Sequence, residues 1–289
     1  MTKNPDFDEI NEAKACMDNI YDQADPGPYF RELQKLGYVI PNEAKPVFQK
    51  LISQMKLQRD GSLNVLDLGC SYGINSAILK HDLSMSKLYR HWGQKRAESE
   101  TLKENVEYHK QYFAALDRPE DIKVIGLDVA KNAVSYAEDI GLLDSGLTCN
   151  LETQPVPASA KGDLEAVDLV TSTGCVGYIT EKSFDHLLPT ITHGRPPWIA
   201  NFVLRMFPYD AIEETLSHWG YVTEKYEGQT YIQREFASSK EQDQVLERLI
   251  GEGIDPKGKE TEGELLAEFY LSRPKADAAD VPIERLFAA

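Results

Sequence analysis

Short apolar runs alternate along the chain with stretches of helical periodicity. Residues 63–69 (LNVLDLG), 122–130 (IKVIGLDVA), 166–174 (AVDLVTSTG) and 197–207 (PWIANFVLRMF) are nearly continuous in apolar side chains. Residues 147–152 (LTCNLE) read as a shorter strand of the same series. Between them, 73–81, 98–116, 135–143, 181–188 and 210–219 have the pattern of helices. Strands apolar on both faces that alternate with helices predict a parallel sheet covered on both sides, with right-handed crossovers. Further on, 221–236 predicts strand, turn and strand, 238–253 a helix, and 264–274 a last strand; the tail 275–282 is expected to be mobile.

Residues 1–60 read as helical, with turn breaks at 25–28 (DPGP) and 40–46 (IPNEAKP). Val47, Leu51, Ile52 and Met55 mark one apolar helix face over 44–57. The expected organisation is a single domain over 1–289, with a helical cap segment at 1–60 and an α/β core at 61–289. One stretch breaks the alternation. Gly73 and Asp128 lie 55 positions apart, where a simple nucleotide-binding unit places its acidic residue after ~20. The excess centres on an insertion near 82–97, readable either as a surface loop or as a lid carrying Tyr89 and Trp92.

Composition narrows the partners. Of 289 residues, 42% are hydrophobic and 27% charged, which suits a buried core under a polar surface. A net charge of -16 argues against nucleic acid and anionic membranes, whose recognition needs clustered Lys and Arg. The four cysteines, Cys16, Cys70, Cys149 and Cys175, form no C-x-x-C pair and have no histidines at zinc-ligand spacing. The expectation is therefore no metal, and a reduced, cytoplasmic setting. The amino terminus is polar and acidic, unlike a secretory signal, and no apolar run approaches the ~20 residues of a spanning helix. A small-molecule partner is expected, with no nucleic acid and no membrane; a homodimer is left open.

Candidate chemistry begins at the first strand end, VLDLGCSYG. Gly69 and Gly73 permit unusual backbone angles and keep a Cβ out of a ligand's way. Amides at the start of the following helix can hold an anion. The second strand ends in Asp128, whose carboxylate can accept two ribose hydroxyls. Asn150, in TCNLE, can bond an adenine edge, and TSTGCVGY makes a small-residue turn after the fourth strand.

In this order, VLDLGCSYG, VIGLDVA, TCNLE and VDLVTSTGCVGYI resemble the motifs of class I S-adenosylmethionine-dependent methyltransferases, over roughly residues 62–236. The resemblance implies a Rossmann-like α/β fold: a seven-stranded, mostly parallel sheet with an antiparallel last strand, helices on both faces, and an amino-terminal helical cap. It implies S-adenosyl-L-methionine as cofactor. Asp67, Gly69, Ser71 and Gly73 match the motif around the methionine part, and Asp128 matches the ribose-binding acid. Asn150 and Leu151 match the adenine-flanking position, and Thr173 and Gly174 the turn at the methionine end. Two departures stand out: Ser71 replaces the usual middle glycine, and the spacing before Asp128 is long.

For the acceptor, a general base is optional in methyl transfer. Tyr178 and His193 are the candidate catalytic residues; His91 depends on the lid reading, and His218 reads as structural. Tyr21 and Tyr29 flank the DPGP turn, in a segment that in small-molecule members of the family closes over the cofactor; with Trp92 they are the candidate lid and substrate residues. The chain has no (D/N)-P-P-(F/Y) after the fourth strand, no paired glutamates there, and no acidic metal constellation. What remains is metal-independent transfer to an O or N nucleophile of a small molecule. Two alternatives stand beside it. One is a cofactor-binding regulator or scaffold without catalysis; the other is an NAD-dependent dehydrogenase, whose G-x-G-x-x-G is incomplete in GCSYGIN.

Overall fold

The computed structural model describes residues 11, 18–59, 61–93 and 101–288. A single helical turn (Asp18–Tyr21) and two longer helices, α1 (Gly27–Lys35) and α2 (Ile40–Lys56), precede the sheet. The core runs β1 (Leu63–Leu68), α3 (Ile74–Lys80), α4 (Met85–Trp92), α5 (Leu102–Ala114), β2 (Ile122–Asp128), α6 (Lys131–Asp139) and β3 (Ser145–Thr148). It continues through β4 (Leu169–Thr173), α7 (Glu181–Ile191), β5 (Trp198–Leu204), α8 (Asp210–His218), β6 (Tyr221–Lys225) and β7 (Tyr231–Glu235). Last come α9 (Ser239–Gly251), β8 (Glu264–Pro274), α10 (Lys275–Asp280) and α11 (Ile283–Phe287).

The strands order as β3-β2-β1-β4-β5-β8-β6, with β7 also on β8. β1 to β5 pair in parallel, and β8 runs antiparallel to β5, β6 and β7. The fold is thus the Rossmann-like α/β sheet with an antiparallel last strand. β6 and β7, the strands expected on either side of a turn, do not pair with each other. Both lie along the same side of the eleven-residue β8, β6 on Tyr270–Pro274 and β7 on Glu264–Ala267, so together they fill one sheet position.

The period-2 alternation of each strand feeds two separate cores. Leu63, Val65, Ile122, Val124, Leu169 and Phe202 face a cluster completed by α1 and α2, including Phe30, Phe48 and Leu51. Leu66, Leu68, Ile125, Leu127, Val170 and Ile199 face the opposite cluster, completed by Phe184, Leu187 and Leu216. Each fully buried Leu or Phe contributes roughly 1.5–3 kcal/mol of transfer free energy, so the inner strands are held from both sides.

Several boundaries moved for local reasons. α2 starts four residues earlier than expected because Pro41 occupies its first turn, where a missing N–H costs little. β3 ends at Thr148, ahead of the expected 152; Asn150 instead turns the chain, its side chain accepting from the Glu152 amide at 3.0 Å. The tail is pinned, contrary to expectation: Trp198 Nε1 donates to Asp277 at 2.7 Å, and the Ile283 amide to Glu224 at 2.9 Å.

The insertion packs inward. Trp92 is buried, stacks on Phe30 with centroids 4.1 Å apart, and lies against His109 and Phe113. Its proposed role in a lid is therefore withdrawn: the ring is occupied in the core. His91, paired with His109 at 2.7 Å, shares that fate. Residues 94–97 of the expected insertion lie outside the described residues, as does Cys16.

Candidate functional site

The carboxyl ends of β1, β2 and β4, with the loop after β3, open into one pocket of about 410 Å³. Register places them together: Leu68 pairs with Leu127, and Asp128 with Thr148, so the long insertion leaves Asp128 beside the first turn.

That turn is sharply bent. Gly69 has φ +76°, and a Cβ there would sit 2.6 Å from the Cys175 Cβ, so the turn and the loop after β4 interlock through the missing side chain. Ser71 takes φ +45°, a left-handed conformation unusual for a side-chain-bearing residue. What holds it is Asp128: one carboxylate oxygen accepts the Ser71 amide at 2.9 Å, and the other accepts the Ala130 amide at 2.9 Å. Asp128 thereby joins two adjacent strand ends.

Beneath the turn, Asp67 is 1% exposed. One of its oxygens accepts from Asn75 at 2.8 Å, while the other has no partner. Burial pushes its carboxyl up to about 7; the Asn75 bond opposes the shift and the Asp128 charge adds to it. The Ser71 hydroxyl is likewise buried and unpartnered. Buried polar atoms left unpaired are costly, so two at one turn mark a place built for something else to bond. Asn75 also bonds Thr173 at 3.1 Å, linking the first turn to the end of β4.

Of the expected residues, Gly69, Ser71, Asp128, Asn150, Leu151, Thr173, Gly174, Tyr178, Tyr21 and Tyr29 all line the pocket. Asp67 lies behind the lining, and Gly73, at φ +75°, starts α3 against Ala137 and Leu142. Tyr178 stands at the rim, 55% exposed. His193 is not in this neighbourhood. It precedes β5, at the amino edge of the sheet, where its exposed ring faces Glu165 at 3.8 Å. Its candidacy as a base is corrected on that ground.

The amino-terminal segment is tied across the pocket. The Tyr72 hydroxyl accepts from the Gln23 amide at 2.8 Å and donates to the Gln23 carbonyl at 2.9 Å. Asp22 accepts the Asn132 amide at 2.6 Å, and Asn11 donates to the Gly177 carbonyl at 2.6 Å. These anchors set Tyr21 over the cavity, its ring 5.5 Å from Tyr29 and at 75° to it.

Among the lining residues that the sequence reading did not single out are Tyr38, Val129, Glu152, Cys175 and Gln233. Val129 and Glu152 directly follow motif positions and could have been taken with them. Tyr38 and Gln233 come from the cap and from β7, far from any motif; the Val39 amide bonds the Gln233 carbonyl at 2.8 Å and brings them together. Glu152 accepts the Thr180 amide and hydroxyl and the Ser183 hydroxyl at 2.6–2.9 Å, fixing the loop after β3 to the start of α7.

No protein-family model matches the chain, and no curated protein matches its sequence. Solved structures are similar to it in fold. The plantazolicin methyltransferase BamL, in complex with a triazolic desmethylPZN analog and SAH, is 14% identical; the match covers 93% of this chain and 99% of that one, with a TM-score of 0.44. The magnesium protoporphyrin IX methyltransferase ChlM from Synechocystis, with bound SAM, is 9% identical over 95% of this chain and 100% of that one, TM-score 0.42. The [4+2]-cyclase SpnF is 11% identical over 78% and 80%, TM-score 0.37. The likeness is one of fold; chemistry has to be read from the site.

Among the described residues, no group of three or more His, Cys, Asp and Glu side chains is placed to hold a metal ion, and no helix is long and apolar enough to cross a membrane.

Proposed function

We propose that the chain is an S-adenosylmethionine-dependent methyltransferase acting on a small molecule. The observation that carries the proposal is the convergence at one pocket of a left-handed small-residue turn, the Asp128 carboxylate bridging two strand ends, and two buried polar atoms without partners.

The residues present fit that cofactor. The lone pairs that Asp128 retains beyond its two backbone bonds suit ribose hydroxyls, with Asn150, Leu151 and the exposed Val129 flanking the base. The Ser71 hydroxyl and nearby amides suit a carboxylate, and the unpartnered Asp67 oxygen suits an ammonium group. Thr173 and Gly174 border the methionine end. When bound, S-adenosylmethionine supplies an electrophilic methyl group carried on a sulfonium.

The chain's own contribution is enclosure and orientation. Tyr21 and Tyr29 cover the cavity, and holding an acceptor in line can supply roughly 7–11 kcal/mol of the barrier reduction. Tyr178, at the rim, is the residue we assign to contact with the acceptor. Transfer without a metal is part of the proposal, as is a cytoplasmic setting, which the free thiols of Cys70, Cys149 and Cys175 support.

Isothermal titration with S-adenosylmethionine, S-adenosylhomocysteine and NAD tests the reading. We expect micromolar binding of both sulfur nucleosides and none of NAD. Absence of sulfur-nucleoside binding refutes it, and NAD binding in its place favours the dehydrogenase.

A further inference from the structure

We infer that the acceptor is an amine, a nitrogen base that enters uncharged and leaves as a methylated cation. The inference rests on the methyltransferase reading and narrows its substrate.

The part of the pocket away from the nucleoside edge is bounded by Tyr21, Tyr29, Tyr38, Pro41, Thr173 and Gln233. The rings of Tyr21 and Tyr29 stand nearly perpendicular, so the wall presents aromatic faces in more than one direction. Among the described residues lining the whole pocket there are three carboxylates, Asp22, Asp128 and Glu152, and no Lys, Arg or His. An anionic acceptor would therefore enter a negatively lined, partly desolvated site with no side-chain cation to offset its charge. Carboxylate and phosphate acceptors are disfavoured.

A hydroxyl acceptor gains from a base that takes up its proton, and the groups around the pocket that could serve are held protonated or already bonded. Burial holds the phenols of Tyr29 and Tyr38 protonated, and pushes the Cys175 thiol up to about 12. Asp22, Asp128 and Glu152 are tied to amides and hydroxyls. Asp67 lies behind the turn, outside the lining.

An amine needs neither a cation nor a base in the pocket. It gives up any proton to water before entering, and its lone pair then forms the bond to the methyl carbon. The carbon–sulfur electron pair stays on sulfur, which becomes neutral as the nitrogen becomes cationic. The site holds one positive charge before and after, so aromatic faces and carboxylates that suit a sulfonium also suit the product. The buried Gln233 Oε1, which has no partner, is placed to accept an N–H.

The test uses protein saturated with S-adenosylhomocysteine and three probes of similar shape and different charge: tetramethylammonium, tert-butanol and pivalate. Titration should show the ammonium binding at least tenfold more tightly than tert-butanol, and pivalate not at all. Tyr29→Phe should keep that preference and Tyr29→Leu should lose it. Equal binding of the three probes, preference for pivalate, or binding of none overturns the inference. Because S-adenosylhomocysteine affinity is measured first on the same sample, its absence refutes the methyltransferase reading, whereas intact affinity without charge preference refutes only the amine.

Discussion

The two edges of the same parallel sheet treat their acids in opposite ways. At the amino ends, Asp168 accepts from the Arg59 guanidinium and, at 2.9 Å, from the Asn64 amide. Asp144 accepts from the buried Lys80 at 2.8 Å and from the Val124 amide at 2.7 Å. At the carboxyl ends, Asp67 and Asp128 meet backbone amides, one side-chain amide and the Thr171 hydroxyl, and no Lys or Arg among the described residues lines the pocket. An acid closed by a cation holds the fold together. An acid held only by neutral donors keeps charge or lone pairs to offer, which is why function is read at one edge and stability at the other.

Substitutions can break this contrast. Asp168→Ala has the largest expected effect, because it leaves Arg59 mostly buried without its partner. We expect a loss of roughly 3 kcal/mol in urea unfolding, with S-adenosylhomocysteine affinity unchanged. Asp128→Ala should do the reverse: affinity falls tenfold or more, about 1.4 kcal/mol, measured by calorimetry, with a smaller loss of stability.

Asp67 adds a pH signature. Its folded carboxyl titrates near 7, above the ordinary value of 3.8. The protonated form is the one the empty fold favours, so its stabilising contribution is complete below pH 4 and is lost as pH rises through 7. A ligand ammonium favours the ionised form. Nucleoside affinity should therefore climb severalfold from pH 6 to 8 in the native protein and stay flat in Asp67→Asn. The smallest effect belongs to His193→Ala, which should leave both affinity and methyl transfer unchanged; a large loss of transfer would restore its candidacy.

Much of this was legible in the sequence. The strands that became β1, β2, β4 and β5 are apolar on both faces, and the carboxyl ends of β1, β2 and β4 carry small or acidic residues, so local pattern sufficed to place Gly69, Ser71, Asp128 and Thr173 at one edge. What escaped depended on long-range packing. Trp92 and Tyr29 look alike in sequence, each an aromatic near a turn, yet α4 carries Trp92 onto Phe30 while Tyr29 reaches the cavity. His193 sits one strand length from the pocket, a distance that strand polarity fixes and residue type does not. The pairing of β6 and β7 with β8, in place of each other, likewise needed the whole sheet.

A crystal structure of the protein with S-adenosylhomocysteine tests the central claim most directly. The account predicts the nucleoside in this pocket, its ribose hydroxyls on the Asp128 carboxylate and its amino-acid end between Ser71 and Asp67. Density for the nucleoside elsewhere, or a ribose that leaves Asp128 without contact, would contradict it.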